Sequence, residues 1–231
     1  MPGIDDYVTA KYLQNMPIAH PIVDVLTNIN SSSCPKSINF HCHTTSSDGS
    51  MDPIELAKQA STLGLQHLAI TDHHSIDGYL KIQRNLKTSE FSISPTNLWT
   101  GVEISCLLKG CLVHIIGLGF DIHSKAMQPY FQGEAVTGSS LRAENVVNAI
   151  GKSRGISILA HPARYRIGFP ELIQQANLIG VDGIEVWYDY DLSPKWSPSQ
   201  LVCRSINKLA NKYKMLSSCG TDTHGYSLLG R

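Results

Sequence analysis

The chain has 231 residues, 42% of them hydrophobic and 16% charged, with 19 basic and 19 acidic side chains and no formal net charge. That length and balance suit one globular domain that buries its own core, and they exclude wholesale disorder. A neutral chain has no overall field to draw in a nucleic-acid backbone or an anionic membrane, so any polyanion must be held by a local site.

In chain order, residues 5–15 read as a short helix, 21–28 as a second, and Ser31-Ser32-Ser33 as a linker. No basic cluster leads into an apolar stretch, so no secretion signal is expected. The longest nearly apolar run, 111–120, is too short to span a bilayer. Six cysteines, none in a Cys-x-x-Cys pair, fit a cytoplasmic protein with reduced thiols.

From residue 37 the pattern alternates. Strands are expected over 38–43, 65–71, 98–104, 111–118, 156–161, 183–187 and 215–219. Helices are expected from Pro53, with Asp52 as N-cap and Gly64 as terminator, and over 77–86, 139–152, 170–178 and 199–213. Lys109-Gly110 suggests a hairpin between the third and fourth strands, and 120–138 reads as an irregular connection. Repeated strand–helix units argue for a parallel sheet, open or closed into a barrel. His41, His43, Asp72, His73, Glu103, His161, Glu185, Asp222 and His224 stand at or just beyond the ends of apolar runs. In a (β/α) barrel those ends converge on one face, whereas outer strands of an open sheet could not bring them together, so a barrel is expected.

His41 and His43 share a face because strand side chains alternate, with Cys42 pointing the other way. Paired imidazoles suit a transition metal, although a solvated strand end reads the same. Asp48-Gly49 alone is a turn signal. Asp72 alone could be an N-cap, and His114 alone a core histidine. Glu103 at a strand end calls for a cationic partner. Arg164 and Arg166 could grip a phosphate or simply be solvated. Trp187, Tyr188 and Trp196 could stack on a base or pack the rim.

Together these pieces resemble the PHP (polymerase and histidinol phosphatase) family. The matching segments are Phe40-His41-Cys42-His43, Ser47-Asp48-Gly49, Ile70-Thr71-Asp72-His73, Gly101-Val102-Glu103, His114, Ala160-His161-Pro162 and Gly220-Thr221-Asp222-Thr223-His224. The resemblance implies a distorted seven-stranded (β/α)7 barrel over 37–231. Residues 1–36 lie outside it and read as a helical extension that packs on the barrel or mediates a homodimer. It implies three divalent ions, Mn, Fe or Zn. His41, His43 and Asp222 would hold one, with Glu103 bridging to a second held by His114 and His161. Asp48, His73 and His224 would hold the third. Asp72 would orient a ligand histidine. Three such ions against three carboxylates and a hydroxide leave a surplus of roughly +2, suited to a phosphate dianion.

The implied activity is hydrolysis of small phosphomonoesters or nucleotides, with Glu103, Asp222 and Arg164 as catalytic residues and Arg164 and Arg166 binding substrate. An exonuclease acting on short oligonucleotides, or a non-catalytic binding module, are the alternatives; long nucleic acid and membrane are not expected partners. Only 46 residues separate His114 from His161, where many relatives of this type carry a long helical insertion.

Overall fold

The computed structural model describes residues 20–87, 97–193 and 195–230. The helix expected over 5–15 lies outside them. Helix α1 spans Pro21–Thr27, followed by β1 Ile38–Asn39, α2 Pro53–Thr62, β2 His67–Ala69, α3 Asp77–Lys87, β3 Asn97–Trp99, β4 Gly101–Leu108, β5 Cys111–Leu118, α4 Ala143–Lys152, β6 Ile156–Leu159, α5 Phe169–Leu178, β7 Gly183–Trp187, α6 Gln200–Tyr213 and β8 Leu216–Cys219.

Local chemistry accounts for these boundaries. Asp52 caps α2 by accepting from the Ile54 amide at 2.8 Å, and Pro53 takes the first helical position, as expected. Leu56, Ala57 and Ala60 then fall on the buried side of α2, packing with Leu65, Leu68 and Ile70 around β2 and with Ile82 of α3. In α1, His20 is the cap, its Nδ1 accepting from the Ile22 amide at 3.2 Å while Nε2 donates to the Gly119 carbonyl at 2.9 Å. Ile22, Val23 and Leu26 are buried in the main core with Phe40, Ile104 and Ile115. The described part of the N-terminal segment thus packs on the core of the domain.

The strands form two sheets, β1-β2-β3 and β4-β5-β6-β7-β8, and not the single seven-stranded ring expected. One difference is that the third expected strand divides at Thr100: β3 pairs with β2, and β4 turns away to pair with β5. Gly101 stands at this crossing, where a Cβ would lie 2.4 Å from the Ile70 carbonyl oxygen, so only glycine lets the strand pass so close. The antiparallel β4–β5 hairpin, eight residue pairs long, is the one that Lys109-Gly110 suggested. A second difference is that β6 also runs antiparallel to β5, while β6, β7 and β8 run parallel. Backbone bonds bridge both seams between the sheets without forming ladders. Glu103 N donates to Asp72 O at 3.2 Å and His74 N to Glu103 O at 3.0 Å; Phe40 N donates to Cys219 O at 3.1 Å and Asp222 N to His41 O at 2.8 Å. The functional side chains gather at these seams. No described helix is long and apolar enough to cross a membrane.

Candidate metal centre

The nine residues expected to share a site come from seven segments of the chain, and Glu103 sits at their middle. Its Oε2 is 3.1 Å from Nε2 of both His41 and His43 and 3.5 Å from Nε2 of His73. Its Oε1 is 2.9 Å from Nδ1 of His114 and 3.3 Å from Nε2 of His161. Asp222 Oδ1 faces the same pair, at 3.3 Å from His41 and 3.2 Å from His43. Asp48 lies at the outer end, 3.5 Å from His43 Nδ1, 3.7 Å from His73 and 3.3 Å from His224.

Three overlapping groups could each hold an ion, with ligand atoms within 4.8 Å of one another: His41, His43, Glu103 and Asp222; His43, Asp48, His73 and His224; and His73, Glu103 and His114. The first is the set implied by the resemblance. In the third, His73 stands where His161 was expected, and His43 joins the Asp48 group.

The electrostatics call for cations. Glu103, Glu185 and Asp222 are 1%, 0% and 2% exposed, and buried carboxylates are costly unless compensated. Burial alone would raise the Glu103 pKa; His41, His114 and His161 outweigh it and hold it well below the usual carboxylate range. Burial alone would lower the pKa of His41 and His43. Glu185, Glu103 and Asp222 instead hold His41 well above its ordinary value, and Asp222 and Glu103 bring His43 to about 9. Without a metal, protons on these imidazoles supply the compensating charge. Yet His41 Nε2 and both ring nitrogens of His43 are buried without a hydrogen bond, so the nearby carboxylates do not satisfy them as donors. Close, unaligned imidazole and carboxylate donors in a water-poor pocket fit a divalent cation, whose binding would displace those protons.

An outer ring of contacts fixes this cluster. Glu185 Oε1 accepts from His41 Nδ1 at 2.9 Å, directing Nε2 inward, and its Oε2 accepts from the His161 amide at 2.8 Å. His161 needs that tie, because it sits at φ 26 immediately before Pro162, a backbone geometry that non-glycine residues rarely adopt. His224 Nδ1 donates to the Asp222 carbonyl at 2.8 Å, leaving Nε2 toward Asp48. Asp72 corrects the sequence reading: it accepts from Thr44 N, Thr44 Oγ1 and Ser47 Oγ at 2.7, 2.7 and 2.8 Å. It therefore orients the turn that carries Asp48, and no ligand imidazole.

His114 sits opposite Ser105 in the β4–β5 pairing, diagonal to Glu103 on the same face. Its side chain is 27% exposed, which removes the core-histidine alternative. Cys42 donates to the Ala69 carbonyl at 3.3 Å, away from the cluster, as alternation predicts. Arg164 reaches the cluster, its Nη1 3.0 Å from Asp222 Oδ2. Arg166 does not: it donates to the Gly110 carbonyl at the tip of the β4–β5 hairpin. Trp187, Tyr188 and Trp196 are all buried, so they pack the rim and present no face to a base.

Two participants were missed by sequence reasoning. Glu185 was placed at a strand end but given no role; its position in an apolar run was the available signal. It adds a fourth carboxylate, itself fully buried, to Asp48, Glu103 and Asp222, and its negative charge is matched by that of the Arg164 guanidinium. Tyr165 accepts from the His114 amide at 2.8 Å, tying the loop after His161 to β5, and nothing in the sequence marks it.

The chain belongs to the PHP domain family, whose model matches residues 39–226. It is 32% identical over 144 residues to a 5'-3' exoribonuclease of Haemophilus influenzae, covering 57% of this chain and 51% of that one. It is 35% identical over 92 residues to the 5'-3' exoribonuclease Rnm of Salmonella typhimurium, covering 40% and 30%. The chain thus spans about half or less of the curated relatives that it matches. Among solved structures it resembles an amidohydrolase from Chromobacterium violaceum, with TM-score 0.67 and 20% identity over 84% of this chain and 90% of the other. A Bifidobacterium adolescentis protein assigned to the metal-dependent phosphoesterases aligns with TM-score 0.68 and 19% identity, covering 85% and 91%. At these identities the likeness concerns the fold.

Proposed function

We propose that the chain is a metal-dependent phosphoesterase with three divalent ions, Mn, Fe or Zn, held by His41, His43, Asp48, His73, Glu103, His114, His161, Asp222 and His224. The observation that carries this reading is the buried Glu103 carboxylate, with both oxygens within 3.5 Å of imidazole nitrogens from five histidines. Bound divalent ions supply an acidified water and draw charge from phosphoryl oxygens. The protein's part is geometric and electrostatic. Glu103 and Asp222 keep the cations close together, Glu185 orients His41, and Arg164 offers guanidinium donors to a phosphate at the mouth. The two sheets, bridged at their seams, act in this reading as one distorted barrel.

Two substrate readings follow from the same chemistry. The zero net charge favours a small phosphomonoester or nucleotide over a long strand. The curated relatives named 5'-3' exoribonuclease favour stepwise hydrolysis from the 5' end of a short oligoribonucleotide. Mn²⁺-loaded protein given p-nitrophenyl phosphate, nucleoside monophosphates and 5'-phosphorylated oligoribonucleotides of two to ten nucleotides separates them. Release of phosphate from monoesters supports the first reading. Appearance of 5'-mononucleotides at a faster rate supports the second. No hydrolysis of any of them, with the metals bound, would reduce the domain to a binding module. Arg164→Ala is expected to raise KM at least five-fold on the active substrate while leaving metal content intact, measured by steady-state kinetics beside elemental analysis.

A further inference from the structure

Tyr188 follows β7, and its hydroxyl is 2.6 Å from Asp222 Oδ2. Arg164 Nη1 donates to that hydroxyl at 2.9 Å and to the same carboxylate oxygen at 3.0 Å. The order of donors is fixed, since a guanidinium cannot accept and a carboxylate cannot donate. The phenol therefore accepts from Arg164 and passes its own proton toward Asp222. Asp222 is divided in consequence: Oδ2 serves the phenol and guanidinium, and Oδ1 serves His41 and His43. Tyr188 is 1% exposed, whereas the Arg164 side chain is 38% exposed. A rigid buried group thus anchors one at the edge of solvent. Asp222 itself sits at φ 53, where a non-glycine residue needs outside contacts to hold it.

We propose that Tyr188 is a positioning residue with two effects. It fixes the rotation of the Asp222 carboxylate, so that Oδ1 faces the cation between His41 and His43. It also aims the Arg164 guanidinium at the mouth of the site, where a phosphate group is bound. The second effect rests on the function proposed above; the first needs only a bound metal.

Tyr188→Phe in the full chain removes the hydroxyl and keeps the ring. Circular dichroism and thermal melting establish that the variant is folded, and Mn²⁺ is then titrated calorimetrically into metal-free protein. Loss of a group that orients a ligand commonly weakens metal affinity by 10–100-fold, and a drop of about 10-fold is expected for one ion. With Mn²⁺ saturating, KM for the active substrate should rise at least five-fold, with a smaller fall in kcat. In an Arg164→Ala background the same change should move KM less than two-fold, because no guanidinium remains to be aimed. Mn²⁺ affinity within two-fold of wild type overturns the first effect. An unchanged KM, or KM effects that multiply independently with those of Arg164→Ala, overturns the second. Should Tyr188→Phe fail to fold, Arg164→Lys gives the second reading: Arg164 spends Nη1 on both oxygens and keeps Nη2 and Nε for a phosphate, whereas a lysine has one nitrogen for both tasks, so KM must rise, and a wild-type KM overturns the aiming role. If the wild-type chain hydrolyses nothing, the proposed function falls, and the Mn²⁺ titrations still decide whether Tyr188 sets Asp222.

Discussion

Glu103→Gln is expected to lower turnover at least 10³-fold, about 4 kcal/mol of transition-state stabilisation. Glutamine keeps the shape of the side chain and removes its charge. Five histidines approach the two oxygens of Glu103, and two of the three candidate groups include it. An amide there cannot screen the repulsion between neighbouring cations, so at least one ion should leave. The fold should survive, because the core is built from strand residues such as Val102, Ile104, Val113 and Ile115 on the other side of β4 and β5. Steady-state kinetics, elemental analysis and a thermal melt on the purified variant check the three points together. Full metal content with near-normal turnover would show that Glu103 bridges nothing.

Gly220→Ala tests the scaffold under the ligands. A Cβ at residue 220 would lie 2.2 Å from His41 Cβ, 2.6 Å from its amide nitrogen and 2.7 Å from its Cα. These neighbours include backbone, and no flexible side-chain tip can yield. Relief requires moving the segment that carries His41 away from β8. Overpacking of this kind costs about 3 kcal/mol. For a chain of this size the melting temperature should fall by roughly 6–12 °C. The shift carries His41 Nε2 away from Glu103 and Asp222, so metal affinity should fall along with stability. An alanine variant that melts like the wild type and binds metal normally would mean that His41 and Gly220 are not in contact.

The site was more legible in the sequence than the sheet. Histidines and carboxylates at the ends of apolar runs are recognisable because apolar strands have no other use for them; Glu103, His161 and Asp222 all stood out in this way. His114 could not be told from a core histidine, because its strand runs antiparallel and presents it from mid-strand. The division of the third strand at Thr100 is not read from its pattern, since a strand does not reveal which neighbour each half pairs with; Gly101 in its interior was the one available sign of a close backbone approach. The reach of Arg166 was hidden too: Arg164 and Arg166 are two residues apart, but one turns toward Asp222 and the other toward Gly110. Glu185 carried a visible signal that was not given a role. Tyr165 gave none, and Tyr188 read only as an aromatic for stacking or for the rim, because only the direction of its hydroxyl reveals the part it takes.

The central claim is a cluster of catalytic divalent ions gathered on Glu103. It is tested most directly by elemental analysis of chelator-free protein, paired with phosphoester hydrolysis before and after stripping and Mn²⁺ restoration. The account predicts two to three ions per chain, activity that disappears on stripping, and recovery on adding Mn²⁺ back. At most one ion per chain, with no Mn²⁺-dependent hydrolysis of monoesters, nucleotides or short oligonucleotides, would contradict it.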